Sequence, residues 1–133
     1  IWKVVEMLTG VNLIEQGFRA RLGLTVEPGR RPKETLVYSF MAARFTGRIA
    51  AVEGLDEARK MPGVRHIKMT ADVGESVVAA KEGAFQELGE IVVTAANYQQ
   101  ASEKALAALR NIRVGIRQKG KVVWQTADYL QTP

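Results

Sequence analysis

An α+β fold, an antiparallel or mixed sheet with helices packed on one face, is predicted from three stretches of this sequence. Residues 36–41 place apolar side chains on both faces of an extended segment, with the two-residue period of a strand. Residues 91–96 form a continuous apolar run rich in β-branched side chains, which is typical of a central strand. An amphipathic helix follows from Asn97. Strands and helices in this order, with hairpin-like links, indicate the α+β class.

A short helical segment is expected to precede the sheet, as two helices broken at Gly10. Asn12 stands where an N-cap is needed, and Glu15 lies three residues further on, which completes a capping box. Gly23 is a suitable C′ residue to end the second helix. The apolar stripes of the two helices are Trp2, Val5 and Leu8 in the first, and Leu13, Ile14, Phe18 and Leu22 in the second.

Residues 25–34 predict a loop or linker, because they contain Pro28, Gly29 and Pro32 beside three basic residues. Of all segments in the sequence, this one is the best candidate for a boundary between two structural units. We therefore expect a helical unit at residues 1–24, a linker at 25–34 and a small α+β domain at 35–133.

After the first strand, a second one is expected at residues 47–52, and Thr46–Gly47 could connect the two as a hairpin ending at Gly54. Residues 55–61 indicate a short helix that Pro62–Gly63 ends. A third strand is expected at residues 64–71, with Ile67 and Met69 on one face and His66 on the other.

The second half of the chain predicts a turn at residues 73–77 leading to a short strand, and leaves residues 81–88 open between loop and helix. Asn97 can cap a helix with Gln100 at its N3 position, running to about Ile112. Residues 116–124 could form a closing hairpin that turns at Lys119–Gly120, whereas residues 125–133 give no strong signal. The inward face of the helix should carry Ala101, Ala105, Ala108, Leu109 and Ile112.

The composition excludes several classes of protein. A chain of 133 residues with 47% hydrophobic residues fits one domain with a real core. The lack of cysteine excludes disulfides, thiolate metal sites and cysteine nucleophiles. The apolar runs are too short to span a bilayer, and the N-terminus has no signal-peptide pattern. We expect a soluble, cytoplasmic protein without membrane partners.

The formal charge of +5 raises the possibility of nucleic-acid binding, since clustered Lys and Arg bind phosphates by releasing counterions. A solvated face is the alternative, and we favour it because no helix-turn-helix, RNA-recognition or zinc-finger spacing accompanies the clusters. The basic residues concerned are Arg30, Arg31 and Lys33 in the loop, and Arg110, Arg113, Arg117, Lys119 and Lys121 near the C-terminus.

Motifs for chemistry are mostly absent from the sequence. Neither glycine-rich phosphate loop occurs, and a lone histidine, His66, rules out a two-histidine metal site or relay. No catalytic, cofactor-binding or metal-ligating residue is therefore predicted. Arg44 and Arg48, which lie on either side of Gly47, are the candidates for substrate binding. Each guanidinium could bind a carboxylate or phosphate through two parallel hydrogen bonds. Surface ion pairing is the other interpretation of these two arginines.

The order of several short segments resembles the C-terminal portion of ATP-grasp ligases, in the subgroup of L-amino-acid ligases and carbamoyl-phosphate-synthase-like proteins. Residues 9–15, with Leu22–Gly23, look like the helix that follows the catalytic core of these ligases, although Asn12 replaces the usual Asp and keeps the cap. The pieces similar to the small C-terminal domain are residues 47–49, 53–58, 62–64, 73–77, 88–95 and 101–106.

The resemblance implies that ATP and magnesium serve the full-length protein and that an acyl phosphate forms before an amine attacks it. In that family the metal ligands include a Glu-x-Asn-x-Arg segment upstream of the region matched here, and this chain lacks it. The resemblance thus implies the C-terminal domain or a fragment of a carboxylate–amine ligase, with a structural or pocket-closing role rather than catalysis. Its partners would be the upstream core of the same protein and a second copy in a homo-oligomer.

Two other classes of function stay open. A stand-alone binding, regulatory or dimerisation module would show a ligand-dependent shift in stability. A basic nucleic-acid-binding domain would bind in a way that falls steeply with salt. The ligase interpretation predicts neither. It predicts instead that the face carrying Trp2, Val5 and Leu8 is exposed in the isolated chain and favours association.

Overall fold

The computed structural model describes residues 2–83 and 86–128, and it confirms the α+β class. Two helices come first, followed by an irregular segment at residues 22–34 and then by strands interleaved with helices. The elements are α1 (Trp2–Thr9), α2 (Leu13–Arg21), β1 (Thr35–Ala42), β2 (Gly47–Glu53), α3 (Leu55–Arg59), β3 (Val64–Met69), β4 (Ser76–Val77), β5 (Glu87–Ala95), α4 (Tyr98–Asn111), β6 (Arg113–Gln118) and β7 (Lys121–Thr126), with a 3₁₀ turn (Ala80–Glu82) before β5.

The strands divide between two antiparallel sheets. The first sheet has the order β1-β5-β3, and the second has the order β4-β2-β6-β7. The predicted central position of the apolar run is confirmed, since β5 lies between β1 and β3. In the first sheet Tyr38 lies opposite Val92, which in turn lies opposite His66. These three residues therefore share one face of the sheet.

The predicted hairpin between β1 and β2 is wrong, because the two strands belong to different sheets. The connection between them is bonded to other parts of the chain: the backbone N–H of Arg44 donates to Gln125 Oε1 at 2.7 Å, and the N–H of Ala80 donates to the carbonyl of Ala43 at 2.9 Å. At the start of β2, a Cβ on Gly47 would lie 2.3 Å from the carbonyl oxygen of Arg117. Strand β2 thus packs closely on β6, away from β1.

The remaining local predictions agree well with the structure. The helix after Gly54, the third strand and the short strand at Ser76–Val77 are all present. The closing hairpin turns at Lys119 (φ +45°) and Gly120 (φ +82°), the pair of positive φ angles that a two-residue turn between twisted strands requires. The stretch left open at residues 81–88 contains the end of the 3₁₀ turn and the first residues of β5. Residues 84, 85 and 129–133 lie outside the described part of the chain.

One hydrophobic core lies between the two sheets and α4. It takes Met41, Ile91 and Val93 from the first sheet, and Ile49 and Ile116 from the second. The predicted inward face of the helix is confirmed: Ala101, Ala105, Ala108, Leu109 and Ile112 are at most 3% exposed.

Neither N-terminal helix contains a fully buried apolar residue. In the apolar stripe of α1, Trp2 is exposed as predicted, whereas Val5 and Leu8 are half-buried. Asn12 caps α2 as predicted, with its Oδ1 accepting from the N–H groups of Ile14 and Glu15, and Gly23 (φ +69°) follows its C-cap. The apolar stripe of α2 is exposed, and the buried residue of this helix is Gln16, whose Oε1 accepts from the N–H of Glu27 at 2.8 Å. Helix α2 therefore faces the irregular segment with a polar side chain.

Candidate functional site

A basic cleft of about 680 Å³ lies between α1, the irregular segment and the first sheet. Four of its side chains are cationic and one is a carboxylate, and the two apolar residues come from α1. A surface of this kind attracts anions. The lining residues are Met7, Leu8, Arg30, Arg31, Lys33, Glu34, Arg65 and Thr94.

Arg65 enters the cleft because of a β-bulge in β3. The register of β3 on β5 shifts between Val64 and His66, so Arg65 is the extra residue and reaches Thr94 on the neighbouring strand. Its Nε donates to Thr94 Oγ1 at 2.8 Å, and its Nη2 donates to Glu34 Oε2 at 3.2 Å. Thr94 is only 6% exposed. The guanidinium of Arg65 is thus held in orientation from two sides.

Arg30 is positioned by the end of α1. Its backbone N–H donates to the carbonyl of Thr9 at 3.0 Å, and its guanidinium passes over Gly10, where a Cβ would lie 3.3 Å from Nε. Gly10 adopts φ +72°, a conformation that favours glycine. The break between α1 and α2, which the sequence predicted, therefore leaves space for the side chain of Arg30, and Arg30 forms one wall of the cleft.

A second polar cluster lies on the same face of the first sheet, around Glu90. The hydroxyl of Tyr38 donates to Glu90 Oε2 at 2.6 Å, and His66 Nε2 lies 3.0 Å from Glu90 Oε1. The hydrogen bond to Glu90, with burial second, raises the pKa of Tyr38 to about 12. The same hydrogen bond lowers the pKa of Glu90, against an opposing effect of burial. Sequence reasoning missed this cluster because 52 residues separate Tyr38 from Glu90, and only the strand register joins them.

The predicted substrate-binding candidates lie elsewhere. Arg44 Nη2 is 3.5 Å from Asp128 Oδ1, and Arg48 Nη1 donates to the carbonyl of Gly74 at 3.1 Å. Neither residue lines the basic cleft. The contact of Arg44 agrees with the ion-pairing interpretation of that residue. A role of either arginine in substrate binding stays a prediction.

Asp128, the last described residue, is contacted by the side chains of Arg44, Arg110 and Thr126. Burial raises its pKa, but hydrogen bonds from Thr126 and Arg110, together with the charge of Arg44, outweigh burial and leave the pKa lowered. Arg110 Nε donates to Asp128 Oδ2 at 3.1 Å. Arg113 lies 3.7 Å from a carboxylate oxygen of Glu53 and stacks over Trp124 at 4.6 Å. Two of the cations that suggested nucleic-acid binding are therefore engaged within the domain.

The structure also bears on metals and membranes. Across residues 2–83 and 86–128, no group of three or more His, Cys, Asp or Glu side chains is placed to hold a metal ion. Within the same ranges, no helix has the length and apolar character needed to cross a membrane.

Residues 39–117 match the family L-amino acid ligase C-terminal domain 2, and because this is more than half of the chain, the protein belongs to that family. The predicted resemblance to the C-terminal region of ATP-grasp ligases is thereby confirmed for the domain. No curated protein sequence matches the chain significantly.

The solved structures that resemble the chain include two enzymes. One is the L-amino acid ligase from Bacillus licheniformis, with a TM-score of 0.71 and 16% identity over 88% of this chain. The other is the N5-carboxyaminoimidazole ribonucleotide synthetase from Thermotoga maritima, with a TM-score of 0.55 and 20% identity over 84% of this chain. At these identities the likeness shows the fold alone. The match spans 29% of the length of each of those proteins.

Proposed function

We propose that this chain is the C-terminal region of an ATP-dependent carboxylate–amine ligase and that its basic cleft closes one side of the substrate pocket. The family match supports the class of enzyme. The observation that carries the pocket-closing role is the cleft itself, which is lined by the four cations Arg30, Arg31, Lys33 and Arg65 and by one carboxylate. An excess of cations in a concave site suits a carboxylate or phosphate group of a substrate.

The chain's own contribution would be binding and orientation. Arginine recognises planar oxyanions through two parallel hydrogen bonds, and a guanidinium that is already oriented, as in Arg65, loses little conformational entropy on binding. No described residue is proposed as a magnesium ligand, because no three His, Cys, Asp or Glu side chains converge within the described part of the chain. ATP and magnesium belong, in this proposal, to the upstream core of the same protein, and no catalytic step is assigned to this chain.

The test uses the whole ligase polypeptide, expressed from the coding sequence that includes the region upstream of Ile1. Replacing Arg31 with Gln removes one cation of the cleft and keeps much of the side chain's length. We expect the KM for the anionic substrate to rise about tenfold, since hydrogen bonds to charged groups contribute roughly 1.5–3 kcal/mol. The fold of the domain, read by circular dichroism, should not change.

The matched control is Arg21→Gln, because Arg21 is an exposed arginine on α2 that does not line the cleft. Equal effects of the two variants on KM would contradict the pocket-closing role. ATP hydrolysis or ligation by the isolated 133-residue chain would contradict the assignment of the chemistry to the upstream core.

Arg44→Gln and Arg48→Gln belong in the same assay, since both arginines are proposed as further substrate contacts. A rise in KM with either variant would support that role, whereas unchanged kinetics would leave them as structural residues bonded to Asp128 and Gly74.

Salt-sensitive binding of nucleic acid to the chain would instead favour the alternative that the chain is a basic nucleic-acid-binding domain. A cytoplasmic location stays a prediction from composition.

A further inference from the structure

The carboxylate that lines the basic cleft, Glu34, is bound to the arginine that the sheet contributes. Glu34 is the last residue of the irregular segment, and its Oε2 accepts from Arg65 Nη2 at 3.2 Å. Arginine binds anionic groups through these same guanidinium N–H groups. Glu34 therefore stands on Arg65 at a position that an anionic ligand of the cleft would take.

The contact between Glu34 and Arg65 is of a kind that a ligand can displace. The two side chains are 49% and 51% exposed, and water screens an ion pair at such a site. Thr94, by contrast, is 6% exposed, and its Oγ1 accepts from Arg65 Nε at 2.8 Å. Glu34 can thus leave the guanidinium while Thr94 keeps Arg65 in its orientation.

The size and lining of the cleft fit a small molecule. Its volume of about 680 Å³ lies within the range of small-molecule sites, roughly 300–1,000 Å³. Three of its four cations come from the irregular segment and one from β3, so they approach a bound group from two sides. Met7 and Leu8 of α1 add an apolar wall. A ligand with one anionic group and one apolar part matches this lining.

The presence of Glu34 favours a phosphate monoester over a carboxylate as the anionic group. A ligand with a single carboxylate would replace Glu34 by a group of equal charge, and Glu34 has the advantage of being held nearby by the chain. A phosphate monoester carries about two negative charges near pH 7 and offers three acceptor oxygens. It can contact Arg65 and the cations of the irregular segment together. A phosphodiester, the group found in nucleic acids, has only one charge.

We infer that the basic cleft binds the phosphate monoester group of a small molecule, which takes the place of Glu34 on Arg65. The inference rests on the proposed role of the cleft in substrate binding, and it names the class of group that is bound and the side chain that is displaced. Glu34 pairs with Arg65 and joins the irregular segment to the sheet. Ligand binding exchanges this carboxylate for a phosphate.

The first test compares three probes that share a phenyl ring: phenyl phosphate, methyl phenyl phosphate and benzoate. The chain has a hydrophobic core of its own, so calorimetric titration uses the 133-residue chain, at about pH 8, where the monoester is a dianion. We expect phenyl phosphate to bind at least about tenfold more tightly than either singly charged probe, because it contacts several cations at once. Equal affinities for the three probes would overturn the inference.

Two arginine variants place the binding in the cleft. Arg65→Gln should remove most of the preference for phenyl phosphate, whereas Arg21→Gln, outside the cleft on α2, should keep it. Equal behaviour of these two variants would overturn the assignment to Arg65. Should Arg65→Gln fail to fold, as read by circular dichroism, the comparison of probes on the unmodified chain still decides.

The second test concerns displacement. Glu34→Gln removes the charge and keeps an oxygen acceptor for Arg65, and we expect phenyl phosphate to bind about fivefold more tightly, since the lost competitor is a weak, half-exposed ion pair. Glu27→Gln is the matched control, because it removes the same charge from the same irregular segment but lies outside the cleft lining. Equal gains in the two variants, or weaker binding in Glu34→Gln, would overturn the inference.

Failure of this inference can be told apart from failure of the proposed function. The proposed function is judged by the KM of the whole ligase with Arg31→Gln and Arg21→Gln. If benzoate bound the chain as tightly as phenyl phosphate while Arg31→Gln still raised that KM, the phosphate assignment would be overturned and the pocket-closing role would stand.

Discussion

Glu90 lies on the middle strand of the first sheet, and its two carboxylate oxygens contact the two flanking strands. Tyr38 of β1 donates to one oxygen, and His66 of β3 lies beside the other. The carboxylate is partly withdrawn from water, with its side chain 24% exposed. An ionised group in that position is stabilised chiefly by its donors, because burial alone would favour the neutral form. The cluster thus ties three strands together through one side chain.

Removal of the Tyr38 hydroxyl tests this contact. We expect Tyr38→Phe to lower the free energy of unfolding at pH 7 by about 1 kcal/mol, the usual contribution of such a hydrogen bond at a partly exposed site. The pKa of Glu90 is lowered in the folded chain, so its contribution is present above the ordinary carboxyl pKa and is lost as pH falls through the lowered value. The difference between variant and wild type should therefore shrink between pH 7 and pH 3, measured by urea unfolding at one protein concentration.

Tyr98→Phe serves as the control for that experiment, because Tyr98 is 71% exposed. Its free energy of unfolding should stay within about 0.5 kcal/mol of wild type at both pH values. A Tyr38→Phe variant whose deficit is the same at pH 3 as at pH 7 would contradict the coupling to Glu90.

For helix α4, neighbouring residues in the sequence were sufficient to predict where the helix begins and ends. Asn97 Oδ1 accepts from the N–H of Gln100 at 2.9 Å, as the capping pattern predicted, and the helix ends one residue before the expected Ile112. We expect Asn97→Ala to destabilise the chain by about 1 kcal/mol, because the N–H groups of the first turn lose an acceptor. Thermal unfolding followed by circular dichroism measures this.

Asn97→Asp is the informative comparison, since it keeps an oxygen acceptor and adds a negative charge at the helix N-terminus. It should be at least as stable as wild type. An equal loss of stability in Asn97→Ala and Asn97→Asp would mean that Asn97 stabilises the chain through contacts other than its N-cap hydrogen bond.

Glycine is required at position 54 because two elements approach each other closely there. It joins β2 to α3 with φ +81°, and a Cβ there would lie 1.9 Å from the carbonyl oxygen of Asn111 at the end of α4. The sequence suggested only that a strand ends at this glycine. The close approach of Asn111, which lies 57 residues further along the chain, explains why no larger residue fits.

At the scale of the molecule, one core serves both sheets. Leu109 of α4 is fully buried and belongs to the cluster that includes Ile91 of the first sheet and Ile116 of the second. We expect Leu109→Ala to cost about 2–5 kcal/mol and to lower the unfolding midpoint of both sheets together. In a Trp2→Phe background, which leaves Trp124 as the single tryptophan, fluorescence reports on the second sheet, and far-UV circular dichroism reports on the whole fold.

Leu24→Ala is the matched control, since Leu24 is 52% exposed in the irregular segment, and it should change stability by less than about 0.5 kcal/mol. Two separate transitions in Leu109→Ala, with the Trp124 signal changing apart from the rest, would show that the two sheets do not share a single cooperative core.

Local patterns of residues were enough to predict most of the helices and strands, and also the family. Caps, turn residues and apolar periods act over a few neighbouring residues, so Asn12, Asn97 and Lys119–Gly120 fixed where helices and a hairpin begin or turn. The order of short segments was enough to predict the ligase C-terminal region that the family match confirms.

How the elements combine depends on contacts between segments that are distant in the chain. The separation of β1 from β2 depends on bonds from the backbone of Ala43 and Arg44 to distant residues, and the basic cleft depends on the bulge that turns Arg65 towards Thr94. The physical reason is the same in both cases. A strand's partner and register are set by packing between segments far apart in the chain, and no local pattern of residues contains that information.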